Sequence, residues 1–270
     1  MNDDRVVIFP DMYFGLSYKI DENPNNLEFK LHNHNDIYEI VLLLDGDCEF
    51  CVEGNTYQLT PYDIVMTRPF EMHHIVCLTE RTYERIILYI NADYFVKNHC
   101  EHLREVFENR NLGTKNLIPA QMVQGDILSC INRIHRYVKE GECSVARGVL
   151  MEFLYLINHT KTLPKDNETK DKRIRDVILY INQHLTQPLS LQELSQKFYI
   201  DKYYLCKTFK KNTGYTLNQY INYKRILLVQ KLHQSGESLT QASANAGFNN
   251  YSNFYKIYLK QMGKPPKSML

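Results

Sequence analysis

The stretch SLQELSQKFYIDKYYLCKTFKKNTG, residues 190–214, decides how the last third of the chain folds. Ser190 and Glu193 have the spacing of a capping box, in which each side chain satisfies the other residue's backbone N–H at the start of a helix. That helix is expected to end at Phe198-Tyr199-Ile200, where Asp201 offers an N-cap for a second one. Within the second helix Leu205 and Phe209 lie four apart and face a core, which turns Lys202, Tyr203, Cys206 and Lys207 outward, with Tyr204 beside them.

The pattern then repeats. Ser238-Leu-Thr-Gln241 is a second capping-box sequence 48 residues on, and Gly247-Phe248 closes its helix before Asn249 or Asn250 opens another. Leu205 matches Phe254, Lys207 matches Lys256, Phe209 matches Tyr258 and Gly214 matches Gly263, each 49 apart. Two copies of helix-turn-helix are therefore expected, held apart by one long amphipathic helix in residues 216–236. Second helices fixed in this way can enter successive major grooves, about 34 Å apart on one face of DNA. In the second copy Phe254 and Tyr258 take the core positions, leaving Tyr251, Ser252, Asn253 and Lys256 for base edges. Lys210, Lys211, Lys260 and Lys264 are assigned to phosphates, which position a protein without reading sequence.

Charge supports a polyanionic partner. Residues 171–270 hold fifteen Lys and Arg against five Asp and Glu, net +10, whereas residues 1–170 hold seventeen against twenty-six, net −9. A segment with that excess suits DNA, because each neutralised phosphate releases condensed counterions.

Outward from this segment, TKTLPKDNETK at 160–170 lacks apolar periodicity and reads as a linker. Residues 1–91 carry short strand patterns, among them IYEIVLLL, CEFCV, DIVMT and YERIILYI, with turns at Asp45-Gly46, Gly54-Asn55 and Pro61-Tyr62-Asp63, as in an antiparallel sandwich or barrel. Residues 92–159 turn helical, and their apolar stripe Val149, Phe153, Leu156 and Ile157 suits packing on the barrel or, the favoured reading, a homodimer interface. The start MNDDR has neither the basic end nor the apolar core of a secretory leader, and no apolar run is long enough to span a membrane, so a cytoplasmic protein is expected. Seven scattered cysteines fit reduced thiols. Cys48 and Cys51 do spell C-x-x-C, but within a strand they face opposite sides and share no zinc.

Residues 171–270 resemble the DNA-binding domain of the AraC/XylS family of bacterial transcription regulators in SLQELSQKFYIDKYYLCKTFKKNTG, YINYKRILLVQKL and GFNNYSNFYKIYLKQMGKPP, including the closing G-x-x-P at Gly263–Pro266. The resemblance implies that the first residues of each second helix contact bases: Tyr203, Cys206 and Lys207, then Tyr251, Ser252 and Lys256. The sequence departs from the family pattern at Ser195, Ala242 and Ser243, and has Lys207 and Lys256 where Arg is common. Lysine lacks the bidentate fork with which Arg reads guanine.

In LHNHNDIYEIVLLLDG, residues 31–46, the spacing of His32, His34, Glu39 and Gly46 resembles the first motif of cupin barrels, and PYDIVMTRPFEMHH, residues 61–74, resembles the second. Imidazole and carboxylate are ligands for metals of intermediate softness, so His32, His34 and Glu39, with His73 or His74 as the fourth ligand, could form a metal set, taken as His32, His34, Glu39 and His74. AraC-type sensor domains that resemble this one often keep such residues without a catalytic metal. The expectation is therefore an effector pocket of His32, His34, Tyr38, Glu39, His73 and His74, with no metal, no cofactor and no enzymatic activity.

The reading that results has two domains: an antiparallel, cupin-like β-barrel followed by helices, then an all-α double helix-turn-helix. It describes a regulator that binds double-stranded promoter DNA, responds to a small-molecule effector such as a sugar, forms a homodimer, and touches RNA polymerase if it activates. A metal-dependent cupin enzyme is the alternative, but it leaves the basic repeat without a purpose. A DNA-binding regulator that answers to no ligand is the third reading.

Overall fold

The computed structural model describes residues 13–24, 34, 36–123, 125–160, 172–213, 215–263 and 265–266. His32, Gly214, Lys264 and the expected linker beyond Thr160 lie outside the described residues. The chain divides into two compact units, Met1–Glu168 and Thr169–Leu270.

The first unit contains eight described strands in two antiparallel sheets. The larger has the order β1-β7-β2-β5-β8, from Phe14–Asp21 (β1), Tyr83–Asn91 (β7), Ile37–Asp45 (β2), Ile64–Thr67 (β5) and Leu117–Ile118 (β8). The smaller has the order β4-β3-β6, from Asn55–Gln58 (β4), Cys48–Val52 (β3) and His73–Cys77 (β6). Among the described residues no ladder joins one sheet to the other, so the expected barrel is realised as two stacked sheets. Leu117–Ile118, in the stretch expected to be helical, pairs with β5 and extends the larger sheet.

Strands β2, β5 and β7 are buried on both faces, which is why they read as nearly continuous apolar runs. Alternate residues serve different cores. Tyr38, Ile40, Leu42, Met66, Ile86, Leu88 and Ile90 pack against the helices Ala92–Lys97 (α1), Glu105–Glu108 (α2), Gly125–Glu140 (α3) and Cys143–His159 (α4). Val41, Leu43, Val65, Ile87 and Tyr89 face the smaller sheet and its Cys48, Phe50, Val52, Ile75 and Cys77. The stripe expected to dimerise is used here: Val149, Phe153 and Ile157 are buried in the first of these cores and Leu156 is half-buried against it. Their apolar area is removed from water within one chain, so it does not supply an interface.

In the second unit the helices are Lys172–Gln183 (α5), Leu191–Lys197 (α6), Lys202–Thr213 (α7), Leu217–Gln234 (α8), Leu239–Asn245 (α9) and Tyr251–Met262 (α10). Helices α6–α7 and α9–α10 form the two helix-turn-helix copies, with α8 between them. Ser190 and Glu193 make the full capping box on α6. Ser238 caps α9, but the box is not completed there, since Gln241 turns its amide to Asn245 at 3.1 Å. Asn250, rather than Asn249, caps α10. The repeat extends to the core, where Leu194, Ile200, Leu205 and Phe209 match Ala242, Phe248, Phe254 and Tyr258, all buried. Each large apolar side chain among them contributes about 1.5–3 kcal/mol relative to an exposed one. No described helix is long and apolar enough to cross a membrane.

Candidate nucleic-acid interface and buried histidine-glutamate cluster

The buried pair Leu205 and Phe209 fixes the rotation of α7 about its axis, and what remains faces solvent. Lys202, Tyr203, Tyr204, Cys206, Lys207, Lys210 and Lys211 are all exposed, Tyr203 to 75%. Asp201 accepts a hydrogen bond from the Tyr204 backbone N–H at 3.0 Å, so the helix begins on a satisfied cap. The Tyr204 ring lies beneath the Arg173 guanidinium of α5, 5.0 Å from ring centroid to the guanidinium carbon, and its hydroxyl accepts from Arg173 at 3.1 Å. It is therefore held at the margin of the face.

On α10, Phe254 and Tyr258 point inward, while Ser252, Asn253, Lys256 and Lys260 are exposed. Tyr251 is half-buried against Phe254, with ring centroids 5.8 Å apart, so its ring is shared between core and surface. Tyr255 and Tyr199, which the sequence reading did not single out, are exposed as well, Tyr199 almost completely. The serines at 195 and 243 satisfy their hydroxyls locally, donating to the Ile200 carbonyl at 2.6 Å and the Thr240 carbonyl at 2.9 Å. Neither serine hydroxyl is thus left orphaned in the turns.

The first unit brings three of the expected pocket residues together. The Glu39 carboxylate stands 2.7 Å from His34 Nε2 and 3.7 Å from His73 Nε2. His73 also hydrogen-bonds the Glu71 carbonyl through Nδ1 at 2.8 Å, which fixes its ring. Burial by itself would push the Glu39 carboxyl up, but the His34 hydrogen bond and the charge of the two imidazoles reverse this and hold it well below the ordinary carboxylate range. For His73 burial acts downward, and Glu39 overcomes it and raises the imidazole. The aromatic walls are Phe50, 6.0 Å from His73, and Tyr89, 6.1 Å from His34, between ring centroids.

Tyr38 and His74 are separated from this cluster by strand alternation. Tyr38 adjoins Glu39 but points to the helical side, where its ring packs on Phe95 and Phe107 and its hydroxyl donates to Glu108 at 2.7 Å. His74 pairs across the ladder with Cys51, on the face of β6 opposite His73. Donor atoms of His34, Glu39 and His73 lie within 4.8 Å of one another, a set that in chemical type would fit a divalent metal, and of the two candidates His73 and His74 it is His73 that joins it.

Two buried features had no local signal in the sequence. Arg110 meets Glu71 in a bidentate pair, at 2.8 and 2.6 Å, and Glu71 also accepts from the Gly113 N–H at 2.7 Å. Cys48 lies directly across the ladder from Cys77, with sulfurs 3.6 Å apart, while Cys51 turns to the other face and meets Thr56. The C-x-x-C spacing therefore makes no paired site.

Comparison with known proteins agrees with both halves of this description. Residues 14–148 match the family model of the AraC-like ligand binding domain, and residues 194–270 match that of a helix-turn-helix domain. The multiple antibiotic resistance protein MarA of Escherichia coli (strain K12) is 30% identical over 94 residues, covering 34% of this chain and 74% of MarA. The HTH-type transcriptional activator RhaS of Escherichia fergusonii is 21% identical over 243 residues, covering 88% of this chain and 86% of RhaS. The structure of ToxT from Vibrio cholerae aligns over 96% of this chain and 99% of ToxT, at 13% identity and a TM-score of 0.37. The chain belongs to the AraC family: it is a DNA-binding transcription regulator, with a ligand-binding domain ahead of its helix-turn-helix domain, and not an enzyme.

Proposed function

We propose that this regulator binds promoter DNA through α7 and α10, and that a small-molecule effector held at the His34, Glu39 and His73 cluster controls that binding. The observation that carries the reading is the duplication of the second unit: two capped helix-turn-helix copies with the same buried positions and basic outer faces, on a segment of net charge +10. In it, Tyr203, Cys206, Lys207, Ser252, Asn253 and Lys256 contact bases, with Tyr251 at their edge. Lys210, Lys211 and Lys260 hold phosphates.

The effector site is supported by a carboxylate and two imidazoles converging between the sheets. Such a set hydrogen-bonds hydroxyl-rich molecules, among which a sugar fits the donors and acceptors available. The cluster works without a metal in this reading, since Glu39 already has two imidazole partners. Purified protein should then hold well under one equivalent of Fe, Mn, Zn, Ni or Cu by elemental analysis. A homodimer forms through the outward face of α4, where Val145 and Tyr155 are exposed, and an activator would further touch RNA polymerase.

The test begins with duplexes selected from a random pool by the full-length chain. Lys207→Ala and Lys256→Ala should each weaken binding to a selected duplex by about 1–3 kcal/mol. Both variants binding at wild-type strength would remove the assignment. Melting the chain against a metabolite panel identifies the effector, because a ligand that binds the folded state raises the transition. Glu39→Gln should alter the response to that effector and leave DNA binding by the free protein intact.

A further inference from the structure

The turns of the two helix-turn-helix copies are closed by the same pair of backbone hydrogen bonds. In the first, the Ile200 N–H donates to the Ser195 carbonyl at 3.0 Å and the Tyr199 N–H to the Gln196 carbonyl at 3.3 Å. In the second, the Phe248 N–H donates to Ser243 at 3.1 Å and the Gly247 N–H to Ala244 at 3.0 Å. This closure requires a left-handed residue just past the helix, a place that glycine fills without steric cost. The second copy has Gly247 there, at φ 90°; the first has Tyr199, at φ 53°.

A tyrosine in that conformation brings its Cβ against its own carbonyl, and the residue is 95% exposed. Burial of the ring offsets none of the backbone cost, because almost none of it is buried. A residue that opposes folding and packs on nothing is the kind of outlier that points to a role outside the fold. Its place indicates which one. Tyr199 stands two residues ahead of Asp201, the cap of α7. In helix-turn-helix docking the start of the second helix reaches base edges while the first helix crosses the sugar-phosphate backbone, so the turn between them lies along the phosphates. Lys197 and Lys202 flank Tyr199 in sequence and are exposed, and the Asp201 carboxylate is engaged with the Tyr204 N–H. Tyrosine hydroxyls are among the groups that bind phosphate oxygens.

We propose that Tyr199 is a DNA-contacting residue that lays its ring against a deoxyribose and donates its hydroxyl to a phosphate, beside the groove entered by α7. The proposal rests on the assignment of the α7 face to DNA made above. Because the contact is to the backbone, it acts on any sequence, and a labelled mixed-sequence duplex serves as the probe.

The experiment uses the full-length chain at low salt, with binding followed by fluorescence anisotropy and folding by thermal melting. Tyr199→Gly should melt at or above the wild-type temperature, since glycine relieves the backbone. It should nonetheless bind the duplex roughly three- to tenfold more weakly, as expected for the loss of one solvent-exposed hydrogen bond together with the ring contact. The dependence of affinity on salt should keep its wild-type slope, because tyrosine carries no charge, whereas Lys210→Ala, at a residue assigned to phosphates, should lower that slope by about one. Tyr199→Phe retains the backbone strain and the ring, and should show a smaller loss. Wild-type affinity in Tyr199→Gly overturns the proposal while the α7 assignment stands, even if transcription falls, which would give the ring to a protein partner. A wild-type chain that binds no duplex at any salt concentration defeats the α7 assignment, and this proposal with it.

Discussion

Replacing Gly247 with alanine tests how the two helix-turn-helix copies are held together. Gly247 has φ 90°, and a Cβ there would stand 2.8 Å from the Leu185 carbonyl oxygen, 2.9 Å from Thr186 Cα and 3.0 Å from the Thr186 oxygen. These atoms follow α5, in the first half of the unit, and they cannot easily move. Arg225 of α8 donates from Nε to the Leu185 carbonyl at 2.8 Å and from its terminal nitrogen to the Gln187 carbonyl at 2.7 Å. The left-handed backbone costs an L-residue about 1–2 kcal/mol, and forcing a methyl into filled space adds about 1–3 kcal/mol. The sum, about 2–5 kcal/mol, is a large share of a small domain's stability. At roughly 4–8 °C per kcal/mol for a unit of this size, Gly247→Ala should melt at least about 8 °C below wild type and bind DNA more weakly, since α10 starts from that turn. Gly263→Ala provides the control: φ is 70° there, but nothing lies within 4 Å of the added carbon, so only the backbone cost applies. Circular dichroism melts of the full chain read both variants. If Gly247→Ala loses no more than Gly263→Ala, the contact between the halves is not the constraint described here.

Three further outcomes are expected. The Glu39–His73 pair stabilises the first unit fully below about pH 6.5, where an unfolded imidazole is charged, and that contribution fades as pH rises through the raised His73 value, with Glu39 ionised throughout. His73→Gln should therefore show its largest melting deficit near pH 6 and a shrinking one as pH rises through the raised His73 value; a deficit that stays flat to alkaline pH contradicts the pair. Glu71→Ala leaves the buried Arg110 guanidinium without its bidentate partner and should cost about 3–5 kcal/mol in denaturant titrations, against under about 1 kcal/mol if the pair behaved like a surface one. Cys206 is exposed while Cys48, Cys77, Cys100 and Cys130 are buried, so an aromatic disulfide reagent should modify Cys206 first and more slowly once duplex is bound. Equal rates with and without duplex would place Cys206 away from DNA.

The helix-turn-helix pair was legible in the sequence because everything that builds it is local. Caps at Ser190, Asp201 and Ser238 act over three residues, the Leu205–Phe209 spacing spans one turn, and duplication shows the same solution twice. Charge told which partner the outer face suits. The sheets were legible only as a class of structure. IYEIVLLL identifies a strand, but a strand apolar on both faces does not say which face meets which core, so Tyr38 and Glu39 could be neighbours in sequence and still serve opposite sides. The choice of His73 over His74 has the same cause. The stripe on α4 showed that something covers it, and only packing decided that the cover is the chain's own core, with α3 alongside. Glu71 with Arg110, and Cys48 with Cys77, are joined across 39 and 29 residues by ladders and loops that no short window contains. Capping and periodicity are set by hydrogen bonds a few residues long, whereas the meeting of distant side chains depends on how whole layers stack.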